Sequence, residues 1–581
     1  MSTWSDLARA MAEPWPDLQN ADGTFPDYVQ GGQPGVSARY GESMLGYALL
    51  HTGIRADERR FIDAGLRGVS YAVDHPELQR DRPSVFEDLA VASAYNLGRR
   101  HLADYAPFKR RADAWAHWLR NSRMTRLDNT DHFVNKQVVE TAGVLELLRT
   151  GVHSRVDAAT LGGQRDHARA LALDLVNHRV PTIADQDAVA VGGDETLVLS
   201  DPPSYPLAYH ALSCGMFARA VDLLGDRVSS SGREALRAMV RASWWLVGPD
   251  GDLAWMGRSQ EQAWALAATA YAAEVAAAAP GSDAAQDARF RALSARALQR
   301  LHDAYAIGPT GLWIVPALAR DPVAGLRGLD HYAGASVYCG LTLVALNWVI
   351  SALGGRDVAP GAIGADAPGA VSISRGEAQL ALVRSDDDAW FAVKRACSRA
   401  DFPDDLRYDF GLLALKRPGA GGGWSDLLPI RPRTERSRDS GGPVLQDGRA
   451  GPGFPHGQSL SVDAGGTVTV RGGFLGGDGD WRRRGVTFAF APVAGGGVRL
   501  RFDAQAGDTF EYSTFFVDAA PGPQADATSV FDSALRATSA ALDGVAFEHG
   551  YASDAEPKLV RARMTLRAAA AGPIDVTVAP A

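Results

Sequence analysis

The sequence predicts a multidomain chain, α then β: an α/α toroid (an incomplete helical barrel) followed by an antiparallel β-sandwich. Three observations predict it. Apolar residues recur at three- and four-residue spacing through residues 37–353. A stretch rich in Gly, Ala and Pro over 354–369 breaks that pattern. Beyond it the apolar period becomes two, with glycine turns between the runs.

The helical runs fall at 37–51, 61–73, 85–97, 105–119, 134–148, 167–176, 206–224, 234–247, 260–278, 290–304 and 333–353. Their loops are short and rich in Gly, Asp and Pro, so successive runs pair as antiparallel hairpins. No strict internal repeat marks an open solenoid, and an irregular series of hairpins favours a closed ring. Runs at 379–384, 389–394, 410–416, 459–462, 467–470, 485–490, 497–502, 509–517 and 558–566 read as strands, with a helical interruption at 529–541. Strands without regular helices between them pair antiparallel, as in a sandwich. The predicted organisation is a toroid over 1–355, a linker over 356–370 and a sandwich over 371–581.

Composition narrows the function. The 581 residues are 46% hydrophobic and 22% charged, with a net charge of −9. Basic runs are no longer than three residues, as in Arg482-Arg483-Arg484, which argues against a nucleic-acid or anionic-membrane partner. The three cysteines, Cys214, Cys339 and Cys397, have neither disulfide-framework nor zinc spacing. No ligand cluster predicts a metal, and no phosphate-binding glycine loop or Gly-x-Ser-x-Gly elbow predicts a cofactor or serine hydrolase. The first residues lack a basic and apolar leader, so the expected location is cytoplasmic, or secreted or periplasmic should a leader precede them.

The candidate chemistry is concentrated at helix starts. In Ser204-Tyr205-Pro206-Leu207-Ala208-Tyr209-His210, serine reads as an N-cap and proline as a first-turn residue, holding Tyr209 and His210 side by side. Such a pair moves protons if it faces a cleft, and otherwise it is a core tyrosine beside a satisfied histidine. Asn135, in His132-Phe133-Val134-Asn135-Lys136-Gln137, shares a helix face with Val138, Val139, Ala142 and Leu145. It is an inter-helix tie or, with Gln137, an amide aimed at a substrate oxygen. Ser259 and Gln262 fit a capping box, placing Arg258 just ahead of a helix where it meets a carboxylate ligand or pairs with Glu261.

Further binding candidates are His331 and Tyr332 before the last long helix, Arg407 within 404–409, and Tyr205. Trp255, with Trp244, Trp245 and Trp264, offers faces for sugar rings. His456 lies between proline and glycine directly before a strand, the setting of a catalytic loop histidine or of an ordinary surface one.

The order of these features resembles the heparinase II/III-like polysaccharide lyases, with toroid alginate and hyaluronate lyases as more distant relatives. Asn135 resembles the family's asparagine, Tyr209 the tyrosine of its Ser-Pro-x-Tyr-His segment, and His456 its histidine before a sandwich strand. Two departures stand out: an extra residue separates Pro206 from Tyr209, and Lys136 replaces a second asparagine.

The resemblance implies β-elimination on a uronic-acid-containing poly- or oligosaccharide, with no cofactor. Asn135, Gln137 and Arg258 would stabilise charge spreading into the carboxylate. Tyr209 or His456 would take the proton, and the other would protonate the leaving oxygen. A tyrosine, with an ordinary pKa of about 10, needs a nearby cation to serve as base. Two rivals remain open. One is a glycoside hydrolase on the same ring, using carboxylates such as Asp194, Glu195, Asp201 and Glu261. The other is a non-catalytic carbohydrate binder.

Overall fold

The computed structural model describes residues 3–29, 33–36, 40–76, 85–121, 134–152, 158–199, 205–257, 262–281, 283–305, 335–356, 369–372, 379–385, 389–395, 410–419, 424–428, 441–448, 450–517, 521–551 and 559–581. It opens with α1 (Trp4–Ala12), α2 (Trp15–Leu18) and a hairpin of β1 (Pro26–Val29) and β2 (Gln33–Val36), elements that the periodicity beginning at residue 37 does not reveal. Thr3 caps α1 reciprocally. Its hydroxyl accepts from the Asp6 N–H at 3.2 Å, and the Asp6 carboxylate accepts from the Thr3 N–H at 2.7 Å.

Paired helices follow: α3 (Gly41–Ala56), α4 (Arg59–Asp74), α5 (Val85–His101), α6 (Ala106–Arg120), α7 (Val134–Thr150) and α8 (Ala158–Asp174). A π-helical turn, Leu175–Arg179, joins α8 to α9 (Val180–Asp187), and a hairpin of β3 (Val189–Val191) and β4 (Asp194–Thr196) comes next. The series ends with α10 (Leu207–Leu224), α11 (Ser230–Leu246), α12 (Ala263–Ala278), α13 (Ala284–Tyr305) and α14 (Ala335–Leu353).

Helices α3, α5, α7, α10, α12 and α14 form the inner layer. Each packs on the next, and α14 packs back on α3. Small residues permit the close approach of α3 and its outer partner α4. A Cβ added at Gly65 would stand 2.6 Å from the Gly46 carbonyl and the Leu50 nitrogen. The segment Ser336–Leu353 is long and apolar enough to cross a membrane, with mean hydropathy 1.7, yet 83% of it is buried. Its apolar surface is spent inside the ring.

Two helix caps differ from the sequence expectation. Helix α10 begins at Leu207, with Pro206 as an extended N-cap rather than a first-turn residue. The Leu207 N–H is taken by the Met256 carbonyl at 3.1 Å, which satisfies it without a serine cap. Likewise α12 begins at Ala263 with Gln262 as N-cap, later than the Ser259 start.

The second half contains two antiparallel sheets. A five-stranded meander runs β5 (Gly369–Ser372), β6 (Gln379–Arg384), β7 (Trp390–Lys394), β8 (Gly411–Pro418), β9 (Trp424–Asp426). The twelve-stranded sheet is built from β10 (Val444–Leu445), β11 (Gly453–Val462), β12 (Val468–Gly476), β13 (Trp481–Val493), β14 (Gly497–Ala504), β15 (Thr509–Val517), β16 (Gln524–Ala525), β17 (Ser529–Phe531), β18 (Leu535–Thr538), β19 (Leu542–Tyr551), β20 (Leu559–Arg567) and β21 (Gly572–Pro580). Its spatial order is β16-β17-β18-β21-β14-β13-β12-β11-β10-β15-β20-β19.

The helical interruption expected at 529–541 is therefore strand. Val530, Leu535 and Ala537 are buried, and β18 pairs with β21. Local helix propensity yields there to sheet pairing.

Ring and sheet meet across an apolar seam. Leu207, Leu246, Trp255 and Met256 pack with Leu380, Leu382, Trp390 and Leu413 of the five-stranded sheet. Beside it, Lys416 of β8 is fully buried among carboxylates. Its ammonium lies 2.8 Å from Asp250, 3.3 Å from Asp252 and 2.7 Å from Asp426. Arg300 of α13 reaches Asp250 at 3.3 Å.

Candidate functional site

Ring contacts fix the direction of the inner helices. Residues from the first turns of three inner helices touch: Tyr209 of α10 meets Trp264 of α12 edge-on at 6.0 Å, and Trp264 meets Tyr338 of α14 at 6.0 Å. Residues further along the inner helices meet elsewhere. Asn96 of α5 donates to Glu146 of α7 at 2.9 Å, and Arg219 of α10 pairs with that same carboxylate. Arg219 also reaches Asp222 at 3.0 Å and lies 5.0 Å over the Trp348 ring of α14. Trp348 donates to the Tyr47 hydroxyl of α3 at 3.0 Å, and Tyr271 of α12 donates to Asp222 at 3.1 Å.

The inner helices are thus parallel. All six contribute to one polar cluster beyond their first turns, away from the N-terminal end of the ring. Burial disfavours the Arg219 charge, but the Glu146 carboxylate together with Tyr271, Tyr47 and Asp222 outweighs it and holds the guanidinium firmly protonated.

The opposite end collects the helix N-termini, whose unpaired N–H groups and aligned dipoles favour negative charge. Tyr40, ahead of α3, stacks on Phe86 of α5 at 4.8 Å. Asn135 lies in the first turn of α7, and Gln137 is buried one position beyond Lys136. Tyr209 is half-buried in the first turn of α10. The placement of the Asn135 side chain, and Arg258, Glu261, His331, Tyr332, Arg407 and Asp201 altogether, lie outside the described residues.

Other predicted residues have different surroundings. His210 is not beside Tyr209 in a cleft: it is buried, and its Nδ1 accepts from the Leu199 N–H at 3.2 Å. That leaves Nε2 to carry the proton toward the Met239 carbonyl at 3.2 Å. Burial pushes its pKa down to about 4, with the Met239 carbonyl opposing. This imidazole ties α10 to α11 and to the strand-like segment before α10, so sugar binding is corrected to a structural role.

Trp255 is corrected in the same way. It is buried at the seam, donates to the Leu246 carbonyl at 2.8 Å and meets Trp390 edge-on at 5.5 Å. Trp245 donates to Asp194 at 3.0 Å, and Arg289 pairs with the same carboxylate at 3.3 Å, so Asp194 is a hairpin strut. Tyr205 packs against the seam.

His456 is not on a loop. It lies within β11, opposite Gly473 of β12, is 8% exposed and meets Trp481 edge-on at 5.7 Å. Proline and glycine on either side suggested a strand boundary, but the β11 ladder runs through both.

Sequence reasoning missed Tyr338, the Glu146–Arg219 pair and the Lys416 cluster. The available signals were an arginine inside apolar α10 and a lysine within an otherwise apolar strand.

No protein-family model and no curated protein matches the chain. Solved structures do. The chain is similar to the chondroitin AC lyase of Streptomyces coelicolor A3, solved with chondroitin sulphate, at 13% identity and a TM-score of 0.53 over 99% of this chain and 79% of that one. It also matches heparinase III at 10% identity and a TM-score of 0.48, over 99% and 85%. Heparan sulfate lyase HepC from Pedobacter heparinus matches at 10% and 0.44, over 99% and 82%. The chain has the fold of chondroitin AC lyase from end to end, a helical toroid followed by antiparallel sheets.

Proposed function

We propose that this chain is a polysaccharide lyase of the heparinase II/III-like type, cleaving a uronic-acid-containing poly- or oligosaccharide by β-elimination. The observation that carries the reading is the half-buried phenol of Tyr209 at the N-terminal end of six parallel inner helices, the end that also bears Asn135. Full-length likeness to a lyase fold supports it. The converging helix N-termini suit an acidic sugar.

In this mechanism Tyr209 takes the proton beside the carboxylate, and the electron pair moves toward that carboxylate as the glycosidic oxygen departs. Amide donors from Asn135 and Gln137, with the Arg258 guanidinium, stabilise the accumulating charge. Arg258 also favours the phenolate form of Tyr209. The phenol then returns its proton to the leaving oxygen. His456 of β11 is the alternative to Tyr209 for either proton step.

Elimination creates a double bond conjugated to the carboxylate, with new near-ultraviolet absorbance. Incubation with chondroitin, hyaluronan, heparosan and alginate, followed by absorbance, tests the reading. Cleavage of one of them with rising absorbance is expected. Chain shortening with a new reducing end but no absorbance would make the protein a hydrolase.

A further inference from the structure

Trp264 lies in the first turn of α12, and its indole nitrogen is buried with no hydrogen-bond partner among the described residues. The residue is 3% exposed. An unmet buried N–H costs free energy, so its retention calls for a reason. Orphaned groups also occur far from the ring's N-terminal end, Arg482 Nε in the twelve-stranded sheet among them. Trp264 sits with Tyr209 and Tyr338 at the N-terminal end of the ring.

Geometry also directs it. Helical side chains lean toward the helix N-terminus, so a tryptophan in the first turn extends past the start of its own helix. That start has no side-chain cap, since Gln262 makes no capping hydrogen bond. Helix α12 spans 16 residues, so its first turn carries the full partial positive charge of a helix terminus. An orphaned donor and a helix start whose N-cap side chain makes no capping hydrogen bond therefore share one place.

We propose that Trp264 Nε1–H and the first turn of α12 form a subsite for the sugar carboxylate, with the indole donating to one carboxylate oxygen. The proposal rests on the lyase reading for its substrate class, but it concerns binding and is measured apart from turnover. It makes Trp264 a hydrogen-bond donor, distinct from the ring-stacking role that tryptophans commonly take with sugars. The carboxylate arrives with the ligand and supplies the acceptor that the protein itself withholds.

The test is isothermal titration in a Tyr209→Phe background, which prevents turnover. The probes are tetrasaccharides of chondroitin, hyaluronan, heparosan and alginate, each also in carboxyl-reduced form. Trp264 is replaced by benzothienylalanine, whose sulfur keeps the bicyclic shape and removes only the donor. Trp264→Phe is the second variant, with circular dichroism reporting the fold of both. Loss of a hydrogen bond to a charged oxygen is expected to weaken binding of the acidic ligand about tenfold to a hundredfold. The carboxyl-reduced ligand should bind both proteins alike.

Equal binding of the acidic ligand by parent and isostere overturns the subsite. Equal weakening of acidic and reduced ligands overturns the carboxylate assignment. Binding of the acidic ligand with the predicted sensitivity, in a wild-type chain that produces no absorbance, retains the subsite and removes the lyase reading. Failure of all four acidic probes to bind the parent overturns both.

Discussion

Lys416 Nζ lies 2.8 Å from Asp250 Oδ2, a buried ion pair joining strand β8 to the loop that leaves α11. Helical ring and sheet are therefore tied by charge as well as by the apolar seam. Asp252, Asp426 and Arg300 complete the cluster. Burial opposes the Lys416 charge, but the three carboxylates outweigh it. Asp250 is driven below the usual carboxylate range: burial works against this, but Lys416 and Arg300 prevail. Asp426 is held above that range by burial, with Lys416 only partly offsetting it.

Removing the cation strands these carboxylates at the junction. Lys416→Met is expected to destabilise the protein by about 3–5 kcal/mol in chemical denaturation. Adding Asp426→Asn, which removes one of the stranded carboxylates, should recover part of that loss. Limited proteolysis should find the junction before either half is digested.

Arg219 and Glu146 give a second expectation. Breaking one side of a buried pair leaves the other uncompensated, so Arg219→Met should cost about 3–5 kcal/mol. The double change Arg219→Met with Glu146→Gln should cost less than the sum of the two single changes. Thermal and denaturant unfolding of the four proteins closes the cycle.

Catalysis is tested at Tyr209. Tyr209→Phe removes only the hydroxyl, leaving the edge-on contact with Trp264, and should lower elimination about a hundredfold to ten-thousandfold. Affinity for the acidic tetrasaccharide should change by less than about threefold, as neither charge nor the ring is lost. His456→Gln tests the alternative: a loss of rate as large as that of Tyr209→Phe would give His456 one of the two proton steps. A near-silent Tyr209→Phe would transfer the proton chemistry to another residue.

His210 sets an acid limit on stability. Its pKa is about 4 in the folded chain and 6.5 as an ordinary histidine, so between these values the unfolded chain binds the extra proton. The buried neutral ring favours folding above pH 6.5, and that contribution drains away as the pH falls to about 4. Its full size is roughly 3 kcal/mol. His51, pushed to about 3 by burial with Arg55 adding to the effect, acts in the same sense. His210→Gln should be less stable at neutral pH but lose stability less steeply between pH 6.5 and 4, as denaturant midpoints will register.

The two-part architecture was legible because period and composition are local properties. Helical spacing marks α3 to α8 and α10 to α14 but not the short α9, and alternation marks strands such as β14. Residues 529–541 misled because their Leu and Ala suit a helix, while pairing with β21 is a long-range fact. Tyr209 and Asn135 were legible as helix-start residues, since position within a turn follows from sequence. His210 and Trp255 were not, because their partners lie tens of residues away or come from chain segments of no distinctive pattern: Met239 for one, Trp390 for the other. Lys416 is the clearest case. Within its own strand it reads as an interruption, and it makes sense only beside Asp250 and Asp252, which are far off in the chain.

The polar contacts among Tyr47, Asn96, Glu146, Arg219, Tyr271 and Trp348 bind all six inner helices into one web of charge and hydrogen bonds. A change at any one of these groups is therefore felt by helices on the far side of the ring, so their substitutions should not add as independent ones would.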